Sequence, residues 1–204
     1  MSGPEKDTYL TLSEPGEGLF KEKGSKFYSY ALHTPDETAV KAELERLRQE
    51  HHTSRHVCYA YVLGNDGKTT RANDAGEPAN SAGKPILNQI TGHELTNCLV
   101  VVVRYFGGVK LGVGGLIQAY RESARLALNA AQVETKVMGI DFLLLFDYAQ
   151  MSGVMRILRE ENIDVQSPEF AASCQLRIWV RKNRSQKVLK RLQQIANLQV
   201  ETLA

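Results

Sequence analysis

The feature that most constrains this chain is an apolar run that ends in a glycine-rich segment. Six consecutive residues, Cys98–Val103, are apolar, and four of them are valines. Such a run is typical of a strand that is buried on both faces of a sheet. Five glycines follow within 104–115, and a helical pattern opens near Gly114. A core strand, a glycine-rich turn and a helix start in succession predict a place where backbone N–H groups can hold an anion.

We predict that basic and aromatic side chains at this turn join its glycines in binding the anion, with Arg104 and Lys110 at the rim. The segment has neither the Gly-Lys-Ser/Thr of a P-loop nor the spacing of a dinucleotide-binding fingerprint. The ligand class therefore stays open, and close packing of the strand against the helix is the alternative role of the glycines. The predicted residues are Arg104, Tyr105, Gly107, Gly108, Lys110, Gly112, Gly114 and Gly115.

A polar, turn-rich loop at 73–85 precedes the apolar run and contributes the rest of the predicted ligand site. Two carboxylates beside a hydroxyl and a lysine could hold Mg²⁺ with a phosphate, or act as acid and base. The alternative is a structured loop whose acids bind backbone N–H groups. We expect contact with a ligand or partner rather than catalysis, through Asp74, Glu77, Ser81 and Lys84.

The composition is that of an ordinary soluble globular protein, with 24% charged and 43% hydrophobic residues in 204 positions. A net charge of +2 implies no nucleic-acid partner by itself, so such an argument depends on local clusters. The three cysteines are an odd number in apolar contexts, and we expect them to be reduced core residues. No signal sequence or membrane-length apolar run is present, and we expect a cytoplasmic protein.

Periodicity predicts an α+β chain with two domains, 1–134 and 135–204. In the first, Thr34 is a candidate N-cap, with Glu37 completing a capping box for a helix. In the second, the pattern reads strand, helix, strand, strand, helix, strand. That order is the ferredoxin-like βαββαβ plan, with both helices on one face of an antiparallel sheet.

Histidines and cysteines near residue 56 do not predict a metal or cofactor. His52 and His56 are four apart, but no carboxylate or thiolate at zinc-type spacing supports them. Cys58 shares a strand face with His56, which could activate a thiolate. A buried core cysteine is the better interpretation. We therefore predict no metal, no cofactor and no catalytic residue.

The segment Arg177–Arg191 carries seven basic residues and no acid. Strand alternation places Arg177, Trp179 and Arg181 on the face away from the helices, where cations and a ring suit single-stranded nucleic acid. The alternatives are that the tryptophan packs against the first domain and that the helix charges are merely solvated. The predicted nucleic-acid contacts are Arg177, Trp179, Arg181, Lys187, Lys190 and Arg191.

Two long motifs resemble one protein family. They are Asp-Ala-Gly-Glu-Pro-Ala-Asn-Ser-Ala-Gly-Lys-Pro-Ile-Leu at 74–87 and Val-Val-Val-Arg-Tyr-Phe-Gly-Gly-Val-Lys-Leu-Gly-Val-Gly-Gly-Leu-Ile-Gln-Ala-Tyr at 101–120. Both are similar to segments of the IMPACT (YigZ-type) family, in its two-domain bacterial form. The 73–85 loop departs from the family pattern at Asn73, Ala75, Asn80 and Ser81, and the missing acid weakens a metal-dependent interpretation.

The resemblance implies a first domain similar to the second domain of a small-subunit ribosomal protein, and a second domain similar to the last domain of the translocating elongation factor. It also implies that eukaryotic members regulate translation by competing for a ribosome-associated activator of a kinase. It defines no catalytic set.

Three functions follow as hypotheses. The first is a non-enzymatic module that binds RNA or a ribosome-associated protein, without DNA sequence specificity. The second is an enzyme or sensor that binds a small phosphorylated ligand at Gly107–Gly115. The third is a protein-only docking module, and the sequence leaves the oligomeric state open.

Overall fold

The computed structural model describes residues 7–170 and 174–203, which form two compact units. The N-terminal unit is Tyr9–Lys136. The described part of the C-terminal unit consists of Asp7, Thr8 and the residues from Val137 onward. The chain thus passes between the units twice, between Thr8 and Tyr9 and between Lys136 and Val137. The domain ranges 1–134 and 135–204 stay a sequence-based prediction.

The N-terminal unit is built on a five-stranded antiparallel sheet with the order β2-β3-β6-β4-β5, and β1 pairs separately with β7. Its elements are β1 (Thr8–Glu14), β2 (Gly16–Glu22), β3 (Ser25–His33), α1 (Glu37–Glu50), β4 (His56–Leu63), β5 (Thr69–Asn73), α2 (Gly83–Gly92), β6 (Cys98–Tyr105), α3 (Gly112–Ala130) and β7 (Gln132–Val137). Strands β1 and β7 each extend by one residue into the other unit.

Strand β6 is the central strand of this sheet, and it confirms the interpretation of the apolar run. All six residues of Cys98–Val103 are completely buried. Alternate residues face two different layers: Val100 and Val102 pack into the core that contains Ile86 of α2 and Tyr120 of α3. The intervening positions pack into the core beneath α1. An apolar side chain is therefore required at every position.

Helix α1 begins two residues later than the sequence pattern predicts. Asp36 is the N-cap, and its Oδ1 accepts a hydrogen bond from the backbone N–H of Ala39 at 2.8 Å. Thr34 is buried, and its hydroxyl lacks a hydrogen-bond partner among the described residues. The predicted capping box was wrong because Asp36 provides a stronger, charged acceptor at the true helix start.

The C-terminal unit has the predicted order of strands and helices. Its four-stranded antiparallel sheet has the order β11-β8-β10-β9, and helices α4 and α5 share one core with one face of it. Its elements are β8 (Gly139–Phe146), a short 3-10 helix (Tyr148–Gln150), α4 (Met151–Glu160), β9 (Val165–Phe170), β10 (Cys174–Arg181), α5 (Lys182–Leu192) and β11 (Gln199–Leu203).

The three cysteines, Cys58, Cys98 and Cys174, are all buried and free of disulfides, which confirms them as core residues. Within residues 7–170 and 174–203, no helix is long and apolar enough to cross a membrane.

Candidate functional site

Arg104 is not at the rim of the glycine-rich turn, contrary to the sequence-based expectation. Its Nη1 lies 2.7 Å from Oε1 of Glu77, and the two side chains are only 7% and 5% exposed. Its guanidinium also lies over the ring of Phe27, 5.5 Å from the ring centroid. The reason is strand alternation, because Arg104 shares the β6 face of Val102 and points under the helices. Arg104 is an internal structural cation.

Glu77 is the centre of a buried polar network. Its Oε1 accepts hydrogen bonds from Arg104 and, at 2.8 Å, from the hydroxyl of Tyr120. Cys58 Sγ lies 3.3 Å from that hydroxyl and 3.0 Å from the backbone oxygen of Asp74. Burial raises the pKa of the Cys58 thiol to about 12, so the thiol stays protonated at neutral pH. This environment does not suit a nucleophile.

The 73–85 loop folds around the carboxylate of Asp74. Oδ1 accepts the backbone N–H groups of Ala82 and Gly83 at 2.9 and 2.8 Å, and Oδ2 accepts that of Asn80 at 2.8 Å. Two of these donors lie where α2 begins, a favourable position for an anion. Asp74 therefore binds backbone N–H groups, which is the alternative role that the sequence analysis gave for the acids of this loop.

The other two predicted loop residues differ in exposure. Ser81 is buried, and its hydroxyl donates to the carbonyl oxygen of Pro78 at 2.6 Å. Lys84 is exposed. Of the four residues predicted to contact a ligand, Lys84 is exposed, Asp74 is partly exposed, and the side chains of Glu77 and Ser81 are buried.

The glycine-rich turn is anchored to the β2–β3 hairpin at Gly107. Its N–H donates to Ser25 Oγ at 3.1 Å. A Cβ at Gly107 would lie 1.8 Å from the carbonyl carbon of Gly24, so no other residue fits there. Gly107 is therefore needed for close packing, which is the alternative role that the sequence analysis gave for the glycines. Its packing partner is the β2–β3 hairpin turn, whereas the sequence analysis expected packing of the strand against the helix.

Beyond Gly107 the turn is open to solvent. Gly108 and Gly112 have positive φ, and added Cβ atoms at Gly108, Gly112 and Gly114 would meet nothing within 4 Å, whereas one at Gly115 would meet Leu111 at 3.1 Å. Helix α3 begins at Gly112 without a side-chain cap. The exposed side chains of the turn are one cation and three apolar groups: Lys110, Phe106, Val109 and Val113.

In the C-terminal unit, β10 places Arg177, Trp179 and Arg181 on the face opposite the helices, as predicted. Arg177 Nε lies 3.1 Å from Asp141, and Arg181 forms a two-pronged ion pair with Asp7. These carboxylates neutralise part of the positive charge that the sequence pattern suggested.

Trp179 is 38% exposed and lies between the two arginines. Its indole covers Gly139 of the neighbouring strand, where a Cβ would lie 1.9 Å from the nearest ring atom. A cleft of about 290 Å³ opens beside the indole, and Arg181 and Arg184 also line it. A ring with cationic neighbours can stack a base and contact its phosphate.

The alternative interpretation, in which the charges of α5 are merely solvated, does not hold for all of its basic residues. Arg184 Nη2, Lys187 Nζ and Arg191 Nη1 lie within 3 Å of the carboxylate of Glu161, which is 2% exposed. Hydrogen bonds from these cations lower the pKa of Glu161 to about 2. Lys190 is exposed. The cluster ties α5 to the end of α4.

The histidine near the end of α1 has a structural environment. Nε2 of His51 lies 2.7 Å from the Tyr30 hydroxyl, and Nδ1 lies 2.9 Å from the Tyr105 hydroxyl. His56 instead contacts the backbone oxygen of Ala75. Throughout the part of the chain that the structure describes, no group of three or more His, Cys, Asp or Glu residues could hold a metal ion.

Sequence reasoning missed a cleft of about 520 Å³ beside His51. Its walls are Gly24, Lys26, Tyr28, His51, Tyr105 and Phe106. The signal was present in β3, where Lys26, Tyr28 and Tyr30 alternate along one strand face. We call this the α1-end cleft.

Comparison with known proteins identifies the family of this chain. The family model described as the Impact N-terminal domain matches residues 23–128. The chain belongs to the IMPACT family. An IMPACT family member from Haemophilus influenzae is 37% identical over 78% of this chain and 79% of its own length. IMPACT family member YvyE from Bacillus subtilis is 30% identical over 93% of this chain and 88% of its own.

The chain is also similar to a solved structure over nearly its whole length. A crystal structure of a hypothetical protein is 30% identical, has a TM-score of 0.72, and covers 98% of this chain and 99% of its own. The Protein IMPACT homolog of Saccharomyces cerevisiae is 30% identical over 50% of this chain and 39% of its own length. The bacterial relatives therefore match across both units.

Proposed function

We propose that this IMPACT-family chain is a non-enzymatic protein of translational regulation that binds RNA. The role in translation follows from the family resemblance, since eukaryotic members are expected to regulate translation. Support for a non-enzymatic role comes from the side chains that the sequence analysis predicted to contact a ligand. Asp74, Glu77 and Arg104 are all engaged in internal hydrogen bonds, which leaves no free acid–base pair among them.

The observation that carries the RNA proposal is the outer face of β10. Trp179 presents its ring between Arg177 and Arg181, beside a cleft that Arg184 also lines. Rings stack on unpaired bases of any sequence, and arginines contact the phosphates. Each arginine has a carboxylate partner, so phosphates would compete with those carboxylates. We therefore expect moderate affinity that falls steeply with salt.

The experiment is a salt titration of binding to short single-stranded RNA. Trp179→Ala should weaken binding by about five- to a hundredfold, the usual range for loss of one stacking ring. Trp179→Phe retains a ring and should recover most of the affinity. Tyr148→Ala is the matched control, because Tyr148 is 78% exposed in the same unit. Equal binding by Trp179→Ala and the control would refute the proposal.

Protein docking is a second candidate, favoured by the exposed apolar side chains near the glycine-rich turn. Phe106, Val109 and Val113 are each more than half exposed. Capture of ribosome-associated protein that survives nuclease treatment, and that Val113→Asp abolishes, would support docking in place of RNA binding.

A small phosphorylated ligand at Gly107–Gly115 has less support, because Lys110 is the only cation there once Arg104 is buried. A thermal-shift screen tests it. A ligand at a hundred times its dissociation constant stabilises a fold by about 2.7 kcal/mol.

A further inference from the structure

The α1-end cleft differs from the other aromatic groove of the N-terminal unit. That groove contains Tyr59 and Tyr61, whose rings lie nearly parallel at an interplanar angle of 11° with centroids 6.5 Å apart. Both residues are buried, and two acids and three bases line the same groove: Glu37, Glu45, Lys41, Arg48 and Arg71. The buried rings of Tyr59 and Tyr61 offer little surface to a ligand, and the charged side chains of this groove are of both signs.

In the α1-end cleft, ring surface is available. Phe106 is 58% exposed, and Tyr28 and Tyr105 are half-buried. The Tyr28 and Tyr105 rings meet edge to face, with centroids 5.8 Å apart and an interplanar angle of 85°. The His51 ring lies 5.7 Å from Tyr28. The cleft is thus walled by rings at several orientations, and its volume of about 520 Å³ lies within the usual range for small-molecule sites.

Some polar groups of the cleft already have hydrogen-bond partners within the protein, and others do not. Both ring nitrogens of His51 are used by the hydroxyls of Tyr30 and Tyr105. The Tyr28 hydroxyl makes no hydrogen bond within the described residues, and Lys26 is exposed without an ion pair there. The Tyr28 hydroxyl and the Lys26 ammonium group are therefore the polar groups available to contact a ligand.

Aromatic walls attract both cations and flat rings, and the charge of Lys26 distinguishes between these two kinds of ligand. Quaternary ammonium groups bind in aromatic cages through cation–π attraction. Lys26 would repel such a ligand. A flat ring that carries an anion satisfies both the rings and the lysine, and a nucleobase with its phosphate has that chemistry.

We propose that the α1-end cleft binds one unstacked nucleobase, with Phe106 and Tyr28 against the base and Lys26 against its phosphate. The base belongs either to a free nucleotide or to single-stranded RNA. Only the RNA source rests on the proposed function, because nucleotide binding at this cleft needs no contact with Trp179.

The test uses the full chain and four probes: AMP, UMP, adenosine, and a short single-stranded oligoadenylate. Binding is followed by NMR titration of the backbone amides of Gly24 and Phe106. AMP should perturb these amides and bind more tightly than adenosine, because adenosine lacks the phosphate that Lys26 contacts. Equal affinity for AMP and adenosine would refute the role of Lys26.

Variants locate the effect. Phe106→Ala should weaken AMP binding by about five- to a hundredfold, as expected for loss of a stacking ring. Lys26→Ala should remove the preference for AMP over adenosine, and Tyr28→Phe should weaken binding by a smaller factor. Val133→Ala and Lys41→Ala are matched controls, because both side chains are exposed in the same unit and neither lines the cleft.

The outcomes separate this inference from the proposed function. Weakening by the cleft variants, with AMP or with oligoadenylate alone, supports the cleft and identifies the source of the base. Loss of oligonucleotide binding in Trp179→Ala only, with wild-type behaviour of Phe106→Ala, overturns the cleft and leaves the proposed function intact. Absence of binding to all four probes overturns it as well.

Discussion

Each unit contains a nearly buried glutamate that is paired with basic side chains, but the two sites differ in depth. Glu77 in the N-terminal unit is 5% exposed, and its partner Arg104 is 7% exposed. Glu161 in the C-terminal unit is 2% exposed, but its partners Arg184, Lys187 and Arg191 are 32–67% exposed. The first pair lies inside the core, whereas the second lies where core meets water.

The difference shows that a cation's role depends on where its own head group lies. Removing a partner from a buried pair leaves a charge that water cannot reach, which is strongly destabilising. Removing one partner from Glu161 leaves two other cations beside the carboxylate, and the lost side chain is one that was already exposed to water. The N-terminal pair should therefore be sensitive to mutation and the C-terminal cluster tolerant of it.

The largest effect is expected for Arg104→Met, which leaves the Glu77 carboxylate buried without its cation. We expect a loss of about 3–5 kcal/mol in the free energy of unfolding of the N-terminal unit, measured by urea denaturation with circular dichroism. Adding Glu77→Gln should restore part of the stability by removing the unpaired charge. A loss below about 1 kcal/mol would contradict the buried placement of this pair.

A smaller loss is expected for Tyr120→Phe. The hydroxyl of Tyr120 donates to Glu77 at 2.8 Å and lies near Cys58, so the substitution deletes one donor of the buried network. The expected cost is about 1–3 kcal/mol because a charged acceptor loses a partner. The matched control is Tyr148→Phe, whose hydroxyl is at an exposed residue and whose loss should leave stability unchanged.

Acid should weaken the C-terminal unit through Glu161. Its pKa is lowered from about 4.5 to about 2 by its three cations, so the folded state favours the charged form. The stabilisation is complete above about pH 4.5 and is lost as the pH falls towards 2. Fluorescence of Trp179, the only tryptophan, reports unfolding of this unit. Glu161→Gln should flatten the pH dependence in that window, and an unchanged slope would exclude this cause.

The smallest effect is expected for Lys187→Ala. The Lys187 side chain is 67% exposed, although its Nζ lies 2.9 Å from Glu161. Exposed partners contribute about 0–1 kcal/mol, since water replaces them. Chemical denaturation followed by Trp179 fluorescence measures the change, with Lys190→Ala as a control from the same helix. A loss as large as that of Arg104→Met would abolish the contrast between the two units.

Periodicity was sufficient for much of the fold. The unbroken apolar run of β6 could only fit a strand covered on both faces, and alternation in β10 correctly separated Ile178 from Trp179. The start of α1 was predicted wrongly because Thr34 and Asp36 are both good N-cap residues. The choice between them depends on where the preceding strand ends, which is a tertiary property.

The site was less predictable because side-chain partners come from distant segments. Arg104 lies two residues after Val102 and therefore faces the same core, so the strand pattern did contain the signal for its burial. Its partner Glu77 is 27 residues earlier, and nothing local specifies that contact. Likewise, the α1-end cleft combines β3, the end of α1 and the residue after β6, so no single motif marks it.

The contact between Gly24 and Gly107 has a consequence for how fast a ligand could bind. Their backbones touch with no space for a Cβ, and the Gly107 N–H is hydrogen-bonded to Ser25. The turns that flank Lys26 and Phe106 are therefore already ordered in the free protein. A nucleotide entering the α1-end cleft would need no slow rearrangement, so the observed rate of binding should rise linearly with its concentration and show no plateau.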